Sequence, residues 1–121
     1  MQDVYSQEFL YHFKNQPYKK MVKKPNLSGT SKNLSCGDKM SVNLVVKNGV
    51  IRDIGYNPNG CVVSSGAMSI LAEFVIGKTV KDVKTLKEDD VIKLLHINLT
   101  PSRVLCALMG YNAIIDAVKK V

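Results

Sequence analysis

Three cysteines and one aspartate are the residues of this chain whose types could do metal or sulfur chemistry together: Cys36, Cys61, Cys106 and Asp38. Cys36 stands in Ser35-Cys36-Gly37-Asp38, Cys61 follows Asn57-Pro58-Asn59-Gly60, and Cys106 ends the run Pro101-Ser102-Arg103-Val104-Leu105-Cys106. Asp38 is the natural fourth donor, because Gly37 permits a tight turn that can point the two flanking side chains the same way. Three soft sulfurs and one hard oxygen suit zinc or an iron–sulfur cluster, with the carboxylate the weaker ligand to a soft metal centre. Spacing adds little, since Cys61 follows Cys36 by 25 positions, Cys106 follows by 45 more, and no CxxC knuckle fixes a geometry. Three scattered cysteines acting as small hydrophobes remain the plain alternative.

The elements that must position these residues follow from periodicity. Residues 1 to 16 carry Val4, Phe9, Tyr11 and Phe13 among polar positions and stop at Pro17, which predicts an N-terminal helix. From Tyr18 to Lys39 the chain is rich in Lys, Ser, Asn and Gly, which predicts an extended segment or loop rather than a packed element. Met40, Val42, Leu44 and Val46 alternate with Ser41, Asn43, Val45 and Lys47, and Asn48-Gly49 follows, the pattern of a strand entering a hairpin. Val50, Ile51, Ile54 and Tyr56 supply the returning strand, with a turn expected over Asn57 to Gly60. After Cys61 the period lengthens. Val63, Ala67, Ile70, Leu71 and Phe74 form one helical stripe, with Ser64 as candidate N-cap and Gly77 as candidate C′ residue. A single turn is expected from Thr79 to Val83, a helix behind Glu88-Asp89-Asp90, and a last helix from Pro101, capped by Thr100, to Lys119-Lys120. Strands first and helices after, with no βαβ alternation, predict an α+β domain with helices on one face of a small antiparallel sheet.

On this map all three cysteines fall at element ends, where ligands and nucleophiles are held. At about 100° per residue from Val104, the last helix carries Leu108, Tyr111, Ile115 and Val118 on one stripe, with Cys106 about 200° away. Cys106 is therefore expected off the main core face, sharing its side with Arg103 and Gly110, a cation and an open backbone that favour a thiolate. Leu105 and Met109 fall beside it, outside the stripe, as a candidate docking patch. Cys61 directly precedes a helix whose free N–H groups favour an anion.

Length and composition bound the rest. At 121 residues and 45% hydrophobic content the chain is expected to form a single domain, 1–121. The apolar runs, such as Val62-Val63 and Ile114-Ile115, fall far short of the ~20 residues that span a bilayer. Asp3, Glu8 and His12 interrupt any secretion-type opening, so a cytoplasmic location is expected and an odd set of three cysteines is a poor disulfide framework. The net charge of +7 favours an acidic partner. The lysines from Lys14 to Lys39 have little interleaved aromatic surface beyond Tyr18, so an acidic protein is favoured over nucleic acid and a basic nucleic-acid-binding module is the remote alternative. Gly77-Lys78-Thr79 lacks the first glycine of a phosphate-binding loop, the position being Ala72. His12 and His96 have no ligand partner in the pattern and are expected packed or partly exposed, His96 staying a minor candidate ligand.

Taken in order, Tyr5-Ser6 with His12, the Cys36-Gly37-Asp38 loop, Gly60-Cys61 before a Ser-rich helix start, and Pro101-Ser102-Arg103-Val104-Leu105-Cys106-Ala107-Leu108 resemble the U-type iron–sulfur cluster assembly proteins: IscU, the NifU N-terminal domain and SufU. The resemblance spans nearly the whole chain and implies a three-stranded antiparallel sheet with helices packed on one face. It further implies a scaffold or carrier rather than an enzyme, which takes persulfide sulfur from a cysteine desulfurase, builds a labile [2Fe–2S] cluster and passes it to acceptor proteins. Cys36, Asp38, Cys61 and Cys106 match the family's ligand positions, where zinc is also held, with Gly37 and Arg103 in support. Cys106 is the expected sulfur acceptor, with Cys61 the other thiol that could take that part. A zinc-bound sulfur-transfer partner of the desulfurase, as in SufU, is the alternative reading. Two departures stand out. Leu105 occupies the place of the histidine that precedes the last cysteine in IscU, and the insertion typical of SufU between the second and third cysteines is absent. Leu99-Thr100-Pro101-Ser102-Arg103 keeps only part of the chaperone-recognition run of bacterial IscU, which leaves a dedicated Hsp70 chaperone doubtful. A monomer or weak dimer is expected.

Overall fold

The computed structural model describes residues 7–33, 37–59, 62–95 and 99–120, with only the backbone of Pro58, Asn59 and Val62. Its elements run α1 (Gln7–Asn15), β1 (Leu27–Asn33), β2 (Asp38–Lys47), β3 (Val50–Asn59), α2 (Val62–Val75), α3 (Val80–Lys84), α4 (Glu88–Leu95), α5 (Pro101–Ala107) and α6 (Met109–Val118). The sheet is antiparallel in the order β1-β2-β3. The α+β expectation holds.

The β2–β3 hairpin turns where the sequence predicts. Asn48 and Gly49 have φ of 56° and 75°, the paired left-handed conformations of a two-residue turn that matches strand twist. Met40, Val42 and Leu44 are buried as the alternation requires, while Ser41 faces solvent. A bulge skips Arg52 in the pairing, Val46 opposing Ile51 and Val45 opposing Asp53, so Ile51 and Ile54 both reach the core although three positions apart. The turn expected over Asn57 to Gly60 is not a turn as far as Asn59. β3 runs straight through Pro58, whose missing N–H is tolerated on an edge strand.

The expectation of an extended segment or loop, rather than a packed element, from Tyr18 to Lys39 is corrected, because Leu27–Asn33 form the packed strand β1 and Asp38 and Lys39 open β2. Its inward positions are Leu27, Gly29, Ser31 and Asn33, hardly an apolar face, since α6 lies too close for large side chains. A Cβ on Gly29 would stand 2.1 Å from the Ala113 carbonyl oxygen and 2.5 Å from the Ala117 nitrogen. The Thr30 N–H also donates to Asp116 Oδ2 at 2.9 Å, and with Lys119 alongside it holds that carboxyl below the ordinary aspartate range. β1 and α6 therefore lie backbone against backbone at Gly29, and the Thr30 N–H bond to the Asp116 side chain pins them together.

Helix α2 is the hub. The predicted stripe is too narrow, for every residue from Val63 to Ala72 is buried, and Ser64 lies inside the helix rather than at its cap. α1 crosses α2 and inserts Phe9, fully buried, while Tyr11 of the predicted apolar set is exposed. His12 is buried, with Nδ1 2.8 Å from Ser69 Oγ and Nε2 3.1 Å from Glu73 Oε1, so it is a satisfied packing histidine. His96 lies outside the described residues. Gly77, φ 87°, follows α2 as expected, and Thr79 caps α3 by accepting from the Asp82 N–H. No described helix is long and apolar enough to cross a membrane.

Buried Tyr56 donates to Gln16 Oε1 at 3.1 Å, and burial pushes its hydroxyl up to about 12, a hydrogen bond with Ser69 offsetting part of the rise. The unfolded chain then ionises Tyr56 near pH 10 while the folded one keeps the proton. Stability is expected to fall as pH rises from about 10 to about 12, and urea titrations of a Tyr56→Phe variant should show a flatter decline over that window.

Candidate functional site

The first part of the site is the β1–β2 connection. Asn33 and Asp38 are the last residues paired in that ladder, and the Gly37 N–H donates to the Asn33 carbonyl at 2.8 Å. Gly37 takes φ +77°, so the glycine reverses the chain directly before Asp38, which opens β2 half-buried. Cys36 lies outside the described residues, one position before Gly37. At the same end of the sheet Asn59 closes β3 opposite Lys39, and α2 begins at Val62. Cys61, also outside the described residues, is the residue before that helix start, the placement expected of it from the sequence.

The second part is α5. Thr100 is extended, with φ −70° and ψ 159°, and Pro101 opens the helix as predicted, although the Thr100 hydroxyl meets Ser102 Oγ at 3.4 Å instead of capping. The predicted single helix to Lys119-Lys120 is two helices, broken at Leu108. The core face differs in part as well. Leu108 and Val118 of the expected stripe are buried, but Tyr111 and Ile115 are only partly buried, and Met109, Gly110, Ala113, Ile114 and Ala117 are the other buried positions of α6. Small residues win there because they admit the closest approach to β1. Cys106 consequently lies toward the packed side of α5, half-buried against a cluster that includes Phe9, Val63, Ala67 and Leu95. Gly110 is not open backbone, since a Cβ there would meet Met68 Sδ at 2.6 Å. Arg103 is exposed. Of the proposed docking pair, Leu105 is 53% exposed and Met109 only 2%.

What joins the two parts is Asn33, which the sequence did not single out. Its Nδ2 donates to Cys106 Sγ at 3.7 Å, while its backbone pairs with Asp38. The structure thus brings Asp38 and Cys106 to one end of the sheet around a shared neighbour. Among the described residues no group of three or more His, Cys, Asp or Glu is gathered closely enough to hold a metal ion, two of the four expected donors being outside them. The chemistry of the expected set, three thiols and a carboxylate, fits a soft metal, and its two described members, Asp38 and Cys106, are both half-buried. The 270 Å³ cleft by α2 and α4, lined by Leu71, Phe74, Leu86 and Val91 among others, lacks sulfur and is overwhelmingly apolar.

Comparison with known proteins agrees with this architecture. The chain is 27% identical to the iron–sulfur cluster assembly scaffold protein IscU of Thermotoga maritima, over 98% of this chain and 94% of the relative. It is 32% identical to the iron–sulfur cluster assembly protein IscU of Plasmodium falciparum over 70% of this chain, spanning about half (51%) of that longer relative. Among solved structures, the SUF-system scaffold protein of Fervidobacterium islandicum superposes with a TM-score of 0.76 at 22% identity, covering 95% of this chain and 96% of the other. The N-terminal part of a NifU-like protein from Brucella abortus gives 0.78 at 20% identity, covering 97% and 93%. The family model described as the NifU-like N-terminal domain matches residues 4–121, nearly the full sequence, and the chain therefore belongs to the NifU-like N-terminal domain family.

Proposed function

We propose that the chain is an iron–sulfur cluster assembly scaffold, on which Cys36, Asp38, Cys61 and Cys106 receive sulfur and iron as cargo, build a labile [2Fe–2S] cluster and release it to acceptor proteins. The observation that carries the reading is the convergence at one sheet end of Asp38, the half-buried Cys106 and the start of α2, with Cys36 and Cys61 each one residue from a described part of that end. Sulfur arrives as a desulfurase persulfide. The Cys106 thiolate attacks the outer sulfur, the S–S bond breaks, the desulfurase leaves as thiolate, and Cys106 carries the new persulfide. Reducing two such sulfurs to sulfide takes four electrons; two ferrous ions becoming ferric give two, and an external reductant supplies the rest. The exposed lysines of the 18–24 segment, of which Lys20 is engaged with Asp53 at 2.9 Å, suit acidic faces on the desulfurase or acceptors.

Anaerobic isolation with metal and sulfide analysis tests the reading. Bound iron with acid-labile sulfide is expected; stoichiometric zinc without sulfide would favour the zinc-bound sulfur-transfer function instead. With the metal and sulfide first removed from that preparation, incubation with desulfurase and cysteine should add one sulfur to Cys106 by peptide mass spectrometry. Label on Cys61 would reassign the acceptor.

A further inference from the structure

Resting on that reading, we propose that Asn33 is a positioning residue for the sulfur chemistry: its side-chain amide holds Cys106 Sγ in the geometry from which the sulfur binds metal. Three successive inward positions of β1 meet successive points along the helices. Gly29 lies against Ala113 and Ala117, the Ser31 hydroxyl donates to the Met109 carbonyl at 2.6 Å, and Asn33 Nδ2 reaches Cys106 Sγ. Every second strand residue thus moves about one helical turn toward the α5 N-terminus. The contact at Asn33 is fixed by this alignment and not by a surface rotamer.

Asn33 is only 7% exposed, and a buried amide is costly unless its polar groups are used. Thiol sulfur accepts weakly, but a sulfur carrying negative charge, free or bound to metal, accepts far better, so the bond strengthens in the state that does the work. Donors of this kind orient a ligand and tune the metal it holds. The position of Asn33 explains why this residue is suited to the task. Its backbone pairs with Asp38, and Cys36 follows three positions later, so one side chain ties the α5 thiol to the hairpin that carries two further donors.

Cobalt(II) added anaerobically to the metal-free full chain provides the test, because the thiolate-to-cobalt charge-transfer band scales with the number of sulfurs bound. Cys106→Ser is the reference and should lose about a third of the band per bound cobalt if three thiolates bind. Asn33→Asp keeps the shape and removes the donor, and Asn33→Leu removes polarity altogether. Both should weaken cobalt binding about 10- to 100-fold and lower the band per bound cobalt toward the Cys106→Ser value. A role confined to stability would shift the melting temperature of the metal-free chain and leave that band unchanged. Wild-type affinity and band in both Asn33 variants, with the band reduced in Cys106→Ser, would overturn the positioning role alone. An undiminished band in Cys106→Ser would remove Cys106 from the donor set and the proposal with it.

Discussion

Replacing Gly29 with alanine is expected to cost ~3 kcal/mol or more of folding stability, at the upper end for an overpacked core site. Two effects compete. Gly→Ala at a compatible backbone angle stabilises by about 0.4–1 kcal/mol through the unfolded chain. Against it, the new methyl would stand 2.1 Å from the Ala113 carbonyl oxygen, 2.5 Å from the Ala117 nitrogen and 3.0 Å from the Ala117 Cα, all backbone atoms that no rotamer change can move. The clash wins, and relief requires β1 to lift off α6. That displacement would also draw Ser31 from Met109 and Asn33 from Cys106, so the variant should lose metal affinity as well as stability. Urea unfolding measures the first effect, with a midpoint lower by about 1–3 M for an m-value of 1–3 kcal/mol/M. A variant as stable as the wild type would mean that strand and helix are not in the described contact.

The same contact explains what could and could not be read from the sequence. The β2–β3 hairpin was legible because Asn48-Gly49 and the alternation from Met40 to Val46 are both strong local signals. α2 was legible from its period, but its burial on every side was not, because Ser64, Ser65 and Ser69 look like surface residues until helices cover them. β1 was lost for a complementary reason. Its inward residues are small or polar because a helix backbone lies against them, and hydrophobic alternation has nothing to detect. The error on the last helix has the same root. Weighing positions by size selects Tyr111 and Ile115, whereas close packing selects Gly110, Ala113 and Ala117, and no Gly or Pro at Leu108 marks the break. The donor residues were legible by type, and Gly37 by its turn. Asn33 was not, although β1 in antiparallel register with β2 would have placed it opposite Asp38; a polar strand had to be accepted first.

The second large effect is expected at Asp38. On the proposed donor set, Asp38→Ala should lengthen the life of an assembled cluster several-fold and slow its transfer to an acceptor roughly tenfold, a modest share of what one positioned proton-transfer group contributes. Losing a ligand removes one bond to the cluster, but it also removes a negative charge. Three thiolates, one carboxylate and a 2+ core leave about −2 formally, and alanine lowers this to about −1. Repulsion among the remaining donors falls, and the soft iron–sulfur bonds, stronger than the bond to a hard oxygen, are retained. Transfer suffers separately. An acceptor thiol must lose a proton as it binds iron while a departing cysteine gains one, and the carboxylate is the group of the set able to accept and return it. Asp38 is well built for this, half-buried at the start of β2 with its backbone fixed by pairing to Asn33 and by the Gly37 turn. Decay of the visible absorbance, followed with and without an apo-acceptor, separates lifetime from transfer. Faster transfer in Asp38→Ala would make the carboxylate a holding ligand and not the point of release.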